Sequence, residues 1–417
     1  MKGNTIKLVF GLVVLLLLVL PLAGACRPAP PKEKTVLVGA IQDFSGPTAL
    51  ASDRLWTCAQ QFFKWANETN LVPGVKVTWT QEDDRYDAAQ VPLAYRRMMA
   101  KEPMVLFTMT AVGSSGVKPL ADADKVPVLS FTGSVATAQE PVGYVFQLTF
   151  VPEINFNCFL NYVADTWPKG KPCRVASLSW NDDDGRQHIK SGVATAAALG
   201  IDFKQEYAQI APVGTMEFGT YVIRLKELNP DYIFFPMIGP ATGSAIKEMV
   251  RQGMDTKKAV YIVMSAGGMY EELAAVAGEA ATYGATLVMG DYAYSSPLIT
   301  EDQERLRKFM EPTKFGWNPK YHVNALSYYT SAKLLYEGLR IAVKDVGVEK
   351  LNREALYNAL QKIKNFKTGV CLPVTFGPND RLAVQSTYIY EIGTDGIPHL
   401  KTEKVYNWPQ KWGKDVY

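Results

Sequence analysis

The chain has 417 residues, 47% hydrophobic and 20% charged, with 44 Lys and Arg against 41 Asp and Glu for a formal net charge of +3. That length is too great for one ordinary core and suits two domains, and the composition is that of an ordinary globular protein. So small a charge, with no long basic run, speaks against nucleic acid as a partner.

The N-terminus is a separate object. Lys2 and Lys7 give it a positive start, the run from Leu8 to Leu20 is apolar and uncharged, and small residues lead to Cys26. This is the pattern of a secretory signal peptide over residues 1–26. The apolar run falls short of the roughly 20 residues needed to cross a bilayer, although an uncleaved anchor is the alternative. The segment Leu22-Ala23-Gly24-Ala25-Cys26 resembles a bacterial lipobox, which would make Cys26 the lipidated first residue of the mature chain. It departs from the usual pattern at Ala23, where a larger aliphatic residue is preferred. Residues 27–34, opening Arg27-Pro28-Ala29-Pro30-Pro31, read as an extended tether that cannot join a core. An acyl chain plus such a spacer holds a domain at a membrane without spanning it.

From residue 35 a short apolar run alternates with a longer amphipathic stretch. The runs Thr35–Ile41, Val75–Thr80, Met104–Thr108, Pro127–Phe131, Arg174–Trp180, Tyr232–Met237, Ala259–Met264 and Ala285–Gly290 read as buried strands. Between the first two, Leu55, Cys58, Ala59, Phe62, Phe63 and Ala66 fall on one face of a helix. Thr220–Leu228 and Gly243–Met254 have the same character, as do Leu326–Val346 and Asn352–Ile363. Strand alternating with helix means parallel sheets with helices on both faces. Near the C-terminus, Gly369–Phe376 and Gln385–Ile392 are strand-like, separated by a turn at Gly377-Pro378-Asn379-Asp380.

Chemistry-bearing motifs are few. The three histidines, His188, His322 and His399, stand in no metal-ligand spacing, and no GxSxG, GxxxxGK or GxGxxG motif is present. Neither a catalytic centre nor a cofactor or metal is expected. Asp182-Asp183-Asp184 reads as a solvated turn or helix cap, because contiguous carboxylates do not converge on one ion. Cys58, Cys158, Cys173 and Cys371 lack zinc spacing; export would permit a Cys158–Cys173 bridge, with small buried residues as the alternative. More informative are small polar loops after the strands: Thr110 to Gly116, Thr132-Gly133-Ser134, Gly239 to Gly243, and Ser265-Ala266-Gly267-Gly268. Ligands of open parallel sheets bind outside the strands' carboxyl ends, where hydroxyls, backbone N–H groups and helix N-termini suit a carboxylate or carbonyl.

At these residues the chain resembles the branched-chain amino acid (Leu/Ile/Val) binding proteins, the type I periplasmic solute-binding group of ABC transporters. The resemblance runs in order from Val38-Gly39-Ala40 and Ser45-Gly46-Pro47 through Trp65-Ala66-Asn67, Pro73-Gly74-Val75 and Glu82-Asp83-Asp84. It continues through Val126 to Ser130, Tyr144-Val145-Phe146, Asp231-Tyr232-Ile233, Ala277 to Ala281 and Val374 to Gly377. It implies two Rossmann-like α/β lobes with parallel sheets, joined by three crossover strands near Gln147–Phe150, Val288–Tyr292 and Thr368–Leu372. Lobe one would be residues 35–148 with 290–368, and lobe two residues 149–289 with 369–417.

The resemblance also implies a binding site. The family's carboxylate-holding serine loop matches Ser114 and Ser115, and the loop that completes that pocket matches Thr132, Gly133 and Ser134. The tyrosine that covers the ligand falls near Ala51, and the acid that holds its ammonium near Ala266. The family's Tyr-Gly of lobe two is Asp184-Gly185 here. The ammonium partner is therefore lost or moved, with Asp184 and Asp291 as replacements. Phe44, Phe131, Phe150, Trp180, Tyr292, Tyr294 and Tyr321 lie near the implied cleft, where aromatic walls suit an apolar ligand body. The reading is a non-catalytic, monomeric, lipid-anchored receptor that closes by hinge motion on a small organic solute (amino acid, amide, or aromatic or aliphatic carboxylate) and docks on a membrane permease. Its rivals are a ligand-sensing module for a signalling partner and a hydrolytic enzyme.

Overall fold

The computed structural model describes residues 33–261, 269–293, 301–317 and 326–408. The first half builds a five-stranded, wholly parallel sheet from β1 (Lys34–Gln42), β2 (Val75–Asp83), β3 (Val105–Thr108), β4 (Val128–Thr132) and β5 (Val145–Phe150), in the order β2-β1-β3-β4-β5. Val38 of β1 lies opposite Trp79 of β2 and Val105 of β3. Helices α1 (Ala49–Glu68), α2 (Val91–Met99), α3 (Ala111–Asp124) and α4 (Val135–Gln139) follow the first four strands in turn. Helix α1 buries the expected stripe, Leu55, Cys58, Ala59, Phe62, Phe63 and Ala66, together with Trp56. Each of its large apolar side chains contributes about 1.5–3 kcal/mol on burial.

After α5 (Pro152–Thr166), a second sheet grows from β6 (Val175–Trp180), β7 (Ala208–Ala211), β8 (Tyr232–Phe235), β9 (Ala259–Tyr261) and β10 (Thr286–Met289). Its intervening helices are α6 (Asp183–Leu199), α7 (Gly219–Leu228), α8 (Gly239–Arg251) and α9 (Met269–Ala277). These five strands are parallel, but β11 (Ser386–Ile392) and β12 (Pro398–Leu400) extend the sheet antiparallel, and β13 (Tyr406–Asn407) pairs with β11. Helices α10 (Glu301–Met310), α11 (Leu326–Val346) and α12 (Arg353–Leu360) return to the first half: α10 and α11 pack on α1, and α11 carries α12. Tyr328 of α11 donates to Gln42 Oε1 of β1 at 2.6 Å.

Three stretches of chain run between the halves side by side. Gln147 of β5 exchanges backbone hydrogen bonds with Arg381 and Ala383, while Gly290 accepts from Leu372 and Val370 accepts from Tyr292.

Several expectations need correction. Gly369–Phe376 is not a strand; it makes only isolated bridges, Asp291 with Cys371 and Phe366 with Val374. Gly369 has φ +83°, and Pro373 has no N–H to give to a ladder. The second sheet is parallel from β6 to β10 as expected, and it is extended antiparallel by β11, which follows α10 to α12, and by β12, which returns from β11 as a hairpin. The edge strand β7, Ala-Gln-Ile-Ala, carried too little apolar signal to be read. Cys58, Cys158, Cys173 and Cys371 are all unbridged and buried. Cys158 sits against Thr387 and Cys173 beside Asp231, and burial pushes both thiols up to about 12.

Candidate functional site

A cavity of about 40 Å³ lies between the two sheets, smaller than a typical small-molecule site. Its lining comes from the carboxyl ends of the parallel strands. The first half contributes Thr48 from the β1–α1 loop, Tyr86 after β2, Met109, Thr110 and Ala111 at the start of α3, and Phe131 and Thr132 of β4. The second half contributes Trp180, Asp182 and Asp184 at the β6–α6 junction and Pro236, Met237 and Ile238 before α8.

Local sequence fixes these positions. Asp43 folds the β1–α1 loop: its Oδ2 accepts from the Thr48 amide at 2.7 Å and the Thr48 hydroxyl at 2.8 Å. Asp83 ties that loop to the next strand by accepting from the Phe44 amide at 2.9 Å and the Ser45 hydroxyl at 2.6 Å. Arg85 and Tyr86 both adopt the left-handed region, φ +57° and +55°. Consecutive non-glycine residues there carry strain, and the turn they make brings Tyr86 to the cavity. Thr110 caps α3 by accepting from the Gly113 amide at 2.9 Å, and Asp182 caps α6 by accepting from the Gly185 amide at 2.8 Å.

Two hydrogen bonds join the halves at the cavity. The Tyr86 hydroxyl donates to Asp182 Oδ2 at 2.9 Å, and the Thr132 hydroxyl donates to Asp184 Oδ2 at 2.8 Å. Farther out, Arg54 of α1 pairs with Glu271 of α9 at 2.9 Å. The Asp182–Asp184 run is a helix cap as expected, but it is not solvated: Asp182 and Asp184 are both 7% exposed. Asp184 Oδ1 has no hydrogen-bond partner among the described residues. Burial, then the neighbouring Asp182, raises the Asp184 carboxyl well above the usual range; burial likewise raises Asp182. Asp84, beneath the same loops, is pushed up to about 7 by burial, and the fully enclosed Glu153 to about 8. His188, one turn into α6, is held down to about 4 by burial.

The residues singled out in the sequence divide. Thr132, Trp180, Asp184 and Phe131 meet in the cavity wall. The Trp180 indole donates to the Thr215 carbonyl at 3.0 Å and packs edge-on to Tyr86 at 6.3 Å. Ser114 is fully buried beneath the wall, bonded to Ser130 at 2.6 Å, Thr108 at 3.0 Å and the Thr110 carbonyl at 2.8 Å. Ser115 is exposed, bonds its own helix at the Ala111 carbonyl, and faces an outer groove shared with Tyr86 and Asp182. Gly133 is buried where a Cβ would lie 2.8 Å from Gln147 Oε1. Ser134 caps α4 by accepting from the Thr137 amide at 3.0 Å. Phe44 is half-buried in the β1–α1 loop, and Ala51 is buried in α1. Asp291 and Tyr292 lie in the crossing segment, with the Tyr292 ring edge-on to Tyr388 at 6.1 Å. Cys26, Ala266, Tyr294 and Tyr321, and the side chain of Phe150, lie outside the described residues.

Tyr86, Asp182, Met109 and Met237 were not picked out as ligand contacts. Glu82-Asp83-Asp84 marked their neighbourhood, but nothing in Arg85-Tyr86 announces two left-handed residues. Among the described residues no group of acidic, His or Cys side chains is placed to hold a metal, and no helix is long and apolar enough to cross a membrane.

A sequence model of the periplasmic binding protein family matches residues 35–396, and the chain belongs to that family. Its fold is the type I form, and the family is one of solute-binding proteins, not enzymes. Among curated proteins, the Leu/Ile/Val-binding proteins of Citrobacter freundii and of Escherichia coli K12 are each 24% identical over 233 residues, 54% of this chain. The match spans 60% and 59% of their respective lengths, under two thirds in both cases. A branched-chain amino acid ABC transporter protein from Thermus thermophilus, solved with bound valine, superposes with TM-score 0.79 at 19% identity, covering 92% of this chain and 99% of that one. A solute-binding protein of an ABC transporter from Rhodopseudomonas palustris, solved with p-hydroxybenzoic acid, gives TM-score 0.73 at 20% identity, covering 91% and 99%. At such identities these likenesses establish the fold.

Proposed function

We propose that the chain is the extracytoplasmic receptor of an ABC importer, binding a small organic solute in the cavity between its two halves and presenting it to membrane permease subunits. The observation that carries this reading is the cavity itself: it is lined from both sheets at the strands' carboxyl ends, where such folds bind ligands. Residues 35–148 with 290–368 act as lobe one and residues 149–289 with 369–417 as lobe two. The three crossing segments serve as the hinge, and the Tyr86–Asp182 and Thr132–Asp184 bonds belong to the closed state. Apolar walls from Met109, Phe131, Trp180, Met237 and Ile238 suit an aliphatic or aromatic body. Valine and p-hydroxybenzoic acid in the related structures are solutes of that kind, so amino acids, amides and aromatic or aliphatic carboxylates are the classes to try. The mature chain acts as a monomer held at the membrane by acylation of Cys26 after removal of residues 1–26.

The test is a thermal-shift and calorimetric screen of residues 27–417 against those classes, followed by small-angle scattering. A ligand at a hundred times its Kd stabilises by about 2.7 kcal/mol. At least one compound is expected to reach that shift, to contract the particle, and to be recovered unchanged. A panel with no binder, or a binder that is turned over, would sink the receptor reading. Anchoring is checked separately: Cys26→Ala should move the protein from the membrane fraction to the soluble extracytoplasmic fraction.

A further inference from the structure

Four acids of the second half stand together where its first two helices begin: Glu153 at the start of α5, and Asp182, Asp183 and Asp184 at the start of α6. Each accepts a hydrogen from a neutral donor of the first half. The Tyr86, Thr137 and Thr132 hydroxyls donate to Asp182, Asp183 and Asp184 at 2.9, 3.3 and 2.8 Å, and the Val135 amide donates to Glu153 Oε2 at 3.0 Å. These four bonds join the halves without a cation, and the surroundings do not supply one. On α6, Arg186 is exposed, bonds Asn181 and offsets only part of the rise at Asp182; Lys190 is exposed, and burial holds His188 down to about 4. On α3, which packs against α6, Lys118 is committed to Asp122 and the Pro141 carbonyl. Around the first-half donors, Asp84 accepts from the Tyr86 amide, Arg85 is exposed, and Glu140 ends α4. The strands β10, β11 and β13 that pack on α5 carry Tyr388, Tyr390, Glu391 and Tyr406 and no base. Asp184 Oδ1 and Glu153 Oε1 are buried with no partner among the described residues. A buried carboxylate so placed is costly, and a neutral carboxyl much less so.

We propose that the contact between the halves is a proton-operated latch: bringing the halves together takes up protons on these four acids, and deprotonation drives the halves apart. The inference uses the hinge of the receptor reading and goes beyond it, since it concerns the proton and no solute. Separation would hydrate the acids and remove their mutual repulsion. Burial, with Asp183 and Glu140 nearby, raises Glu153 to about 8; burial, then Asp182, raises Asp184. Hydrated carboxyls titrate near 4. Groups whose pKa is higher with the halves together bind protons on joining, so the joined arrangement is favoured at low pH and is lost as pH rises toward about 8. Between the two values, each proton taken up changes the ratio of joined to separated molecules about tenfold per pH unit.

The experiment attaches spin labels to residues 27–417 through Ala88→Cys and Val213→Cys, exposed positions of opposite halves that line the outer groove. The four native cysteines are buried and do not compete for label. Label-to-label distances are read by electron resonance with no solute added, from about pH 5 to about pH 8, with a circular dichroism spectrum at each pH to establish that the chain stays folded. The long-distance population is expected to rise tenfold or more relative to the short one as pH rises. Glu153→Gln combined with Asp184→Asn keeps an acceptor oxygen at each position and removes its proton, so the profile should flatten. The single variants, each expected to reduce the slope, carry the test if the double variant does not fold. A distance distribution that is constant across the window in the folded protein overturns the inference, and so does a pH response that survives these substitutions undiminished. Because pH is the only variable, either failure leaves the receptor reading, which stands or falls on solute binding in the screen above, untouched.

Discussion

On the first-sheet side of the cavity, the hydroxyls of Thr48, Thr110, Ser114 and Thr132 each have a partner already, in Asp43, the α3 amides, Ser130 and Asp184. On the second-sheet side, the β6–α6 junction buries two carboxylates and leaves an oxygen of one unpaired. The hydroxyls of the first wall are all paired, although Asp84 Oδ2 behind them has no partner among the described residues, whereas on the second wall the unpaired oxygen belongs to a lining residue. A finished network is rigid and sets geometry; an incomplete one pays a desolvation cost that a ligand can relieve. The difference separates residues that hold the site's shape from those that select its occupant.

The largest expected effect tests how tightly each wall is built. A Cβ on Gly185 would lie 1.8 Å from the Trp180 carbonyl oxygen, a backbone atom that cannot move without breaking the α6 cap. A Cβ on Gly113 would meet the side-chain oxygens of Asp84 and Thr110, at 2.7 and 2.8 Å. Overpacking costs about 1–3 kcal/mol where neighbours can shift. Gly113→Ala is expected in that range and Gly185→Ala beyond it, read by urea denaturation. Equal losses would mean the α6 junction is as adaptable as the α3 loop.

The second effect is pH dependence without ligand. Asp84 sits near 7, raised by burial and by Asp43 and Asp83; Glu153 sits near 8, raised by burial and by Asp183 and Glu140. Asp184, facing Asp182, Asp183 and Glu153, is raised in the same direction. Groups whose folded pKa exceeds the unfolded value bind extra protons when folded, so they add stability at low pH that is lost as pH rises. The ligand-free protein should therefore lose on the order of a few kcal/mol between about pH 5 and pH 8. A melting temperature that rises across that window would contradict the assigned burial. Asp84→Asn and Glu153→Gln should each flatten the profile.

What the sequence revealed follows from where physical signals are local. Buried parallel strands are continuous apolar runs, so β1 to β4, β6 and β8 to β10 were legible, and the α1 stripe was plain from its spacing. Strand β7 was lost because an edge strand need not be apolar, and Gly369–Phe376 misled because pairing partners decide a strand and Pro373 forbids one. In the site, Thr132 and Trp180 were found because they end strands. Asp184 reads from the sequence as part of a solvated turn or helix cap, and as a ligand candidate only where the family pattern breaks. Its burial could not be seen, since it depends on Thr132, 52 residues away along the chain. Tyr86 was missed for the same reason, its position depending on a strained turn and on Asp182.

The smallest effects separate the two adjacent serines matched to the family's ligand loop. Ser114 is fully buried and joins Thr108, Thr110 and Ser130, so Ser114→Ala takes away the partner of the Thr108 hydroxyl, while Ser130 keeps the Thr132 carbonyl, and should cost about 1–2 kcal/mol. Ser115 is exposed and returns its hydroxyl to the Ala111 carbonyl of its own helix, an arrangement that contributes little. Ser115→Ala should shift stability by less than about 0.5 kcal/mol. The discriminating readout is affinity for whichever solute the screen identifies. Ser115 faces the outer groove, so its removal should leave Kd within about twofold, under 0.5 kcal/mol. A tenfold loss would mean that Ser115 reaches the ligand and that the binding-competent arrangement differs from this one at α3.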